Sequence, residues 1–83
     1  MTRTAVARVA DEGLVARARR GERTAMDELV SRHHRAVYEV TYRVLGDPDA
    51  AADAAQDAFL RALGALDSFR GDASFRTWLL RIA

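Results

Sequence analysis

The sequence predicts an all-α protein, a compact bundle of three or four helices. The strongest helix formers dominate its composition, with 17 Ala and a single Pro. Apolar residues recur at spacings of three and four, and no stretch alternates β-branched or aromatic residues with polar ones, as a half-buried strand would. With 83 residues, the chain has room for one small hydrophobic core. A two-domain enzyme with a cleft between its domains is therefore excluded.

The first helix is predicted to follow a flexible N-terminal segment, residues 1–10, which contains neither a helix cap nor an apolar stripe. Asp11 begins the helix, which runs to about Arg20 and stops at Gly21. The residues predicted to face inward are Leu14, Val15 and Ala18.

The second helix is predicted to begin at Thr24, a good N-cap residue, with Asp27 three positions later as in a capping box. It ends at Gly46, after about 20 residues or roughly 30 Å of helix. Its apolar stripe contains Met26, Leu29, Val30, His33, Val37, Val40 and Val44.

The third helix has the clearest start signal in the chain. Asp47 is the predicted N-cap, Pro48 occupies the first helical position, and Asp49 complements the helix dipole. The helix is predicted to end near Leu66. Its small inward-facing residues allow a neighbouring helix to pack closely, and the stripe contains Ala51, Ala55, Ala58, Phe59, Ala62 and Leu66.

A turn-rich connector, residues 67–73, precedes the last helix, which begins at Asp72 or Ser74. This helix meets no stop signal before Ala83, so we expect it to be cut short. Its apolar residues are Phe75, Trp78, Leu79 and Ile82.

The sequence contains few of the residue combinations that perform catalysis. The absence of Cys excludes disulfides, thiolate metal sites and a Cys nucleophile. His33 and His34 are adjacent, so on a helix they point about 100° apart and cannot share a metal ion. Asp53 and Asp57 lie one turn apart but have no His partner, and no phosphate-binding loop or serine elbow is present. We therefore expect a protein that is not an enzyme and has no cofactor or metal.

The sequence contains no apolar run long enough for a membrane helix, and its start lacks the apolar core of a signal peptide. We therefore expect a cytoplasmic protein with no membrane insertion. The net charge of +1 conceals an uneven distribution: residues 1–45 sum to +3, residues 46–66 to −3 and residues 67–83 to +1. This pattern fits either two partners of opposite charge or ordinary solvated helix faces.

Two surfaces are candidates for binding. On the outward side of the third helix, Asp53, Gln56, Asp57 and Leu60 recur at spacings of three and four. Acidic and amide groups beside an apolar anchor suit an Arg-containing protein partner, although a plain polar surface has the same composition. The second candidate is the connector, where aromatic residues alternate with Arg and hydroxyl residues. That composition suits an unstacked nucleic-acid base, unless Phe69, Phe75 and Trp78 simply complete the core.

Three motifs then resemble a known family. In order along the chain, they resemble successive parts of region 2 of extracytoplasmic-function (ECF) sigma factors. The motifs are LVARARRGE at 14–22 with AMDELV at 25–30, LGDPDAAADAAQDAFLRA at 45–62, and FRGDASFRTWLLRIA at 69–83. The resemblance covers residues 11–83, the predicted single domain. It implies a domain of a bacterial transcription initiation factor that binds core RNA polymerase and recognises and melts the promoter −10 element.

The resemblance also implies roles for particular residues. The polymerase contact, made to the clamp helices of the β′ subunit, would consist of Asp53, Gln56, Asp57 and Leu60. The contact to the −10 non-template single strand would fall on Phe69, Arg70, Asp72, Ser74, Phe75, Arg76, Thr77 and Arg81. An anti-sigma factor is a further implied partner. The family's −35-binding region 4 is absent from this sequence, and Ala52 and Asp57 stand where Glu is common.

Two other functions compete with this interpretation. A helical adaptor or dimerisation module could use the same acidic face without binding DNA. A helix-turn-helix protein that reads duplex DNA is less well supported, because the connector is longer than the tight turn of that motif.

Overall fold

The computed structural model describes residues 10–83, so nearly all of the predicted flexible segment 1–10 lies outside the described residues. The fold consists of four α-helices: α1 (Asp11–Arg19), α2 (Arg23–Leu45), α3 (Pro48–Gly64) and α4 (Phe75–Ile82). A short 3₁₀ turn, Leu66–Ser68, lies between α3 and α4. The described part of the chain contains no strand, and the all-α prediction is confirmed.

The longest helix, α2, is the centre of the bundle. Its 23 residues extend about 35 Å. Gly46 ends it in the left-handed region, with φ 70°, and its N–H donates to the carbonyl oxygen of Tyr42 at 2.7 Å. This turn sends α3 back along α2, where the Thr41 hydroxyl donates to the Ala51 carbonyl at 2.9 Å and the rings of His34 and Phe59 stack 6.2 Å apart.

A single hydrophobic core lies where all four helices meet. The contribution of α3 consists mostly of Ala, whose small side chains let the α2 backbone approach closely. All six residues predicted to face inward from α3 and the following turn are buried, so that prediction is confirmed. The largest fully buried side chains are Phe75, Leu29, Leu79 and Val37.

The predicted helix start at Asp47 is confirmed, and of the two predicted starts of the last helix, Asp72 and Ser74, the structure has Ser74. A carboxylate oxygen of Asp47 accepts from the backbone N–H of Ala50 at 2.8 Å, and Pro48 is the first residue of α3. The Ser74 hydroxyl accepts from the N–H of Thr77 at 3.1 Å. Each cap satisfies one of the N–H groups that the first turn of a helix leaves without an intrahelical partner.

The predicted start of α2 at Thr24 is wrong. The first helical residue is Arg23, and the N-cap is Glu22, two residues before Thr24 and without a side-chain cap hydrogen bond. The Glu22 carboxylate is held instead by Arg17, whose Nε lies 2.8 Å away. This ion pair spans the α1–α2 turn and ends at the residue directly before α2.

The predicted apolar stripe of α2 is correct in its middle and wrong at its end. Leu29, His33 and Val37 are buried, but Val44 is 79% exposed. Val44 lines an open groove between α2 and α3 that no described element covers. Thr41 is buried in this part of the helix instead, because its hydroxyl has partners within the bundle. The end of α3 also differs from the prediction, since the helix stops at Gly64 and Leu66 begins the 3₁₀ turn.

Candidate functional site

The outward side of α3 presents four residues together, Asp53, Gln56, Asp57 and Leu60, which we call the α3 outer face. All four are exposed, and Leu60 is an exposed large apolar side chain with 64% of its surface accessible. Asp57 lies one turn before Arg61, and its Oδ2 is 3.4 Å from the Arg61 Nε. Exposed ion pairs of this kind contribute little to stability. These side chains are therefore available to a partner, while the binding role itself stays a prediction.

The aromatic residues around the connector form a packed cluster. The ring centroid of Phe69 lies 5.8 Å from that of Phe75 and 5.2 Å from that of Trp78. Phe69 is 7% exposed and Phe75 only 2%, whereas Trp78 is half-buried. The sequence left two alternatives for Phe69 and Phe75, a face open to a base or a place in the core, and both rings lie in the core. A role for either ring in base stacking stays a prediction that requires the ring to leave the core.

Polar side chains surround this cluster on its solvent side. The exposed members of the predicted DNA-contacting set are Arg70, Asp72, Ser74, Arg76, Thr77 and Arg81. Gly71 has a φ of 84°, a conformation that favours glycine, and it turns the chain between Arg70 and Asp72. The Ser74 hydroxyl also lies 3.0 Å from the Thr77 hydroxyl. The described structure thus leaves the basic and hydroxyl groups of this segment exposed, while the aromatic rings of the same segment pack inward.

Arg19 is a residue of this site that the sequence does not reveal. Its Nε donates to the carbonyl oxygen of Leu66 at 3.2 Å, and its Nη2 donates to the carbonyl oxygen of Phe69. These contacts cross 47 and 50 residues of sequence, and backbone carbonyls leave no mark in a sequence pattern. A cavity of about 150 Å³ separates α1 from the connector beside this contact, with Val15 and Arg70 among its lining residues.

A polar network joins the start of α1 to the middle of α2. His33 Nε2 lies 2.8 Å from Asp11 Oδ2, and Arg32 Nη1 donates to Asp11 Oδ1 at 3.2 Å. The His33 ring lies 5.5 Å from that of Phe75, the first residue of α4. The prediction that His33 belongs to the core is confirmed. Among residues 10–83, no three His, Cys, Asp or Glu side chains are grouped so that they could hold a metal ion.

No helix within the described residues has the length and apolar character needed to cross a membrane.

Comparison with known protein families shows to which family the chain belongs. The family model described as Sigma-70 region 2 matches residues 29–83. The chain belongs to this family. Two similar proteins are the RNA polymerase sigma-H factor of Pseudomonas aeruginosa and the ECF RNA polymerase sigma-E factor of Escherichia coli K12, each 44% identical over 73 residues. They identify this region 2 domain as one of the ECF type.

The comparisons cover most of this chain but only part of its relatives. The aligned residues are 88% of this chain and 38% of either sigma factor, so the chain spans little more than a third of their length. Among solved structures, an engineered region 2 of sigmaE, determined by NMR in complex with GTAAAA, is similar with a TM-score of 0.81 and 38% sequence identity. That match covers 89% of this chain and 77% of the other. The region 2 domain therefore has the fold that its sequence predicts.

Proposed function

We propose that this domain binds core RNA polymerase through the β′ clamp helices and recognises and melts the promoter −10 element. The observation that carries the proposal is the similarity, at a TM-score of 0.81, to a region 2 domain whose structure contains GTAAAA. The domain acts without catalysing a reaction and works in the cytoplasm, where polymerase and promoter meet. An anti-sigma factor that covers the same surfaces is a further proposed partner.

The polymerase-binding half of the proposal rests on the α3 outer face. Residues 46–66 have a net charge of −3 in a chain whose total is +1. Asp53 and Asp57 lie on the same side of α3 as Leu60, so a basic helix could make ion pairs around one apolar contact. Charge complementarity of this kind accelerates association and sets the orientation of a complex, while the apolar anchor adds affinity.

The DNA-binding half rests on the connector and the start of α4. Arg70, Arg76 and Arg81 are exposed cations suited to the phosphates of an unpaired strand. Asp72, Ser74 and Thr77 supply acceptors and hydroxyl groups that can contact base edges. We propose these exposed groups as the primary contacts, with Phe69, Phe75 and Trp78 forming the apolar floor beneath them.

Titration against the isolated β′ clamp helices tests the first half. Asp57→Arg should abolish binding, because it reverses the charge at the centre of the α3 outer face. Asp57→Asn removes the charge with little change of shape and should weaken binding less. Glu39→Arg makes the same charge reversal at an exposed position of α2 and is the matched control. Equal binding by wild type and Asp57→Arg would show that the face is wrongly assigned.

Titration with single-stranded GTAAAA tests the second half. We expect binding that weakens steeply as salt rises, because cationic side chains displace counterions from the strand, and much weaker binding to a duplex of the same sequence. A helical adaptor, the competing function, would bind neither form of DNA. A preference for duplex over single strand would overturn the −10 proposal.

A further inference from the structure

The turn that follows α3 packs in the same core as α1, and one side chain of α1 also hydrogen-bonds to its backbone. The guanidinium of Arg19 donates through Nε to Leu66 and through Nη2 to Phe69, in both cases to the backbone carbonyl. Because a guanidinium presents its donors in a rigid planar fork, a single arginine can hold two carbonyls three residues apart. We propose that Arg19 is a positioning residue that fixes the start of the connector and thereby prepares it for single-stranded DNA.

This inference rests on the proposed DNA-binding function of the connector. Its structural basis is the way the connector is held. Residues 70–73 make no backbone–backbone hydrogen bond in the described structure, and the next fixed point is Ser74, the N-cap of α4. The segment is therefore held at its two ends, by the Phe69 carbonyl on Arg19 and by the Ser74 cap.

Loss of the hydrogen bond from Arg19 to the Phe69 carbonyl should weaken DNA binding because the free connector becomes less ordered. No contact to the DNA itself would be lost. The Phe69 ring would still pack on Phe75 and Trp78, but its backbone would lose the tie to α1. Residues 70–73 would then sample more conformations in the free protein. Binding would have to remove that additional freedom, and affinity would fall.

A simpler role for Arg19 is to attract phosphates as an exposed cation, and three variants separate the two roles. Arg19→Met removes both the charge and the hydrogen bonds. Arg19→Lys keeps the charge but has no planar fork with which to bridge two carbonyls. Arg20→Met is the matched control, because it removes the same charge from the next residue, whose Nη2 lies 3.5 Å from the Glu22 carboxylate rather than on the connector.

The experiment combines two measurements on variants whose fold is first verified by circular dichroism. Fluorescence anisotropy gives the Kd for labelled single-stranded GTAAAA. Amide hydrogen exchange in the free protein reports on the N–H groups of Ser68 and Phe69, which donate to the carbonyl oxygens of Ala65 and Leu66. Arg19→Met and Arg19→Lys should both raise Kd about tenfold, the cost of ordering about one more backbone residue on binding. Arg20→Met should change it by less than about twofold. Exchange at these two amides should accelerate only in the two Arg19 variants, because Arg19 holds the carbonyls of the same turn.

Each result that contradicts the proposal overturns a different part of it. If Arg19→Lys binds as wild type does, or Arg20→Met weakens binding as much as Arg19→Met, charge rather than positioning explains the role of Arg19. Unchanged exchange in both Arg19 variants would show that Arg19 does not fix the connector. If the folded wild type does not bind the hexamer, the proposed DNA-binding function fails. In that case accelerated exchange would still establish the attachment, and only its purpose in DNA binding would be overturned.

Discussion

His33 Nε2 lies 2.8 Å from Asp11 Oδ2, so the first residue of α1 is tied to the middle of α2. His33 is only 8% exposed, and its ring also contacts that of Phe75 at the start of α4. One histidine therefore links three helices. The aspartate is shared with Arg32, which satisfies its second oxygen.

Removal of either partner of this contact should destabilise the fold. His33→Ala and Asp11→Ala should each lower the free energy of unfolding by about 1–3 kcal/mol, because the remaining group loses a hydrogen bond in a poorly solvated position. The double variant should cost less than the sum, with a coupling energy of at least about 0.5 kcal/mol. Urea denaturation measures all three, and Arg35→Ala, at an exposed position of α2, is the control. Strict additivity would show that the contact contributes nothing.

The ion pair between Arg17 and Glu22, at the start of α2, should make the stability of the fold depend on pH. The hydrogen bond from Arg17, assisted by its charge and by Arg20, holds the pKa of the Glu22 carboxyl below its usual range. A carboxyl with a lowered pKa in the folded state contributes stability above its unfolded-state pKa and loses it as pH falls through its folded-state pKa.

The difference in unfolding free energy between wild type and Glu22→Gln should therefore be greatest near neutral pH and vanish in strong acid. Urea denaturation at a series of pH values measures it. Arg17→Gln should remove the same pH-dependent contribution, since Arg17 is its main cause. A difference that grows on acidification would contradict this account.

Within the aromatic cluster, the stability lost when a side chain is truncated should increase with the burial of that side chain. Phe75→Ala should cost about 3–5 kcal/mol, and Trp78→Ala about 2–3 kcal/mol because that side chain is only half-buried. A loss of the first size can unfold a domain this small. Phe75→Leu, which keeps most of the volume, should leave a folded protein that urea can titrate. A greater loss from Trp78→Ala than from Phe75→Ala would mean that Trp78 is the main core residue.

The N-cap of α3 should have a measurable effect without any change in the core. Asp47→Ala removes the acceptor of the Ala50 N–H and should lower the free energy of unfolding by about 1 kcal/mol. Asp47→Ser restores an acceptor oxygen and should recover most of that loss. Thermal denaturation of the two variants makes the comparison. Equal losses would assign the effect to the negative charge at the helix N-terminus rather than to the hydrogen bond.

Local chemistry explains the sequence predictions that are confirmed. The start of α3 depends on Asp47 and Pro48 alone, and the buried stripe of that helix depends on a spacing of three and four within one segment. Exposure of the α3 outer face follows from the same periodicity, because residues opposite a buried stripe face solvent. None of these features requires knowledge of a distant part of the chain.

The predictions that are wrong, for Thr24 and Val44, and the alternative that the sequence left open, for Phe69, concern residues whose environment is set by another element. Thr24 has the chemistry of an N-cap, but Arg17 engages Glu22 and the helix starts earlier. Val44 continues an apolar stripe, yet no described element packs against it. Phe69 could have pointed toward solvent or inward from a connector, and its contacts with Phe75 and Trp78 place it in the core.

The residues alone were sufficient to predict the helices, the main caps, the buried face of α3 and, through the three motifs, the family. Those features depend on hydrogen bonds between residues close together in the chain and on helical periodicity, and both can be predicted from the order of the residues. The three-dimensional packing alone brings Arg19 to the connector, joins His33 to Asp11 and encloses Phe69. Each of these contacts joins residues at least 6 positions apart in the chain, through a backbone carbonyl, a shared carboxylate or an aromatic ring, and no local pattern records such a meeting.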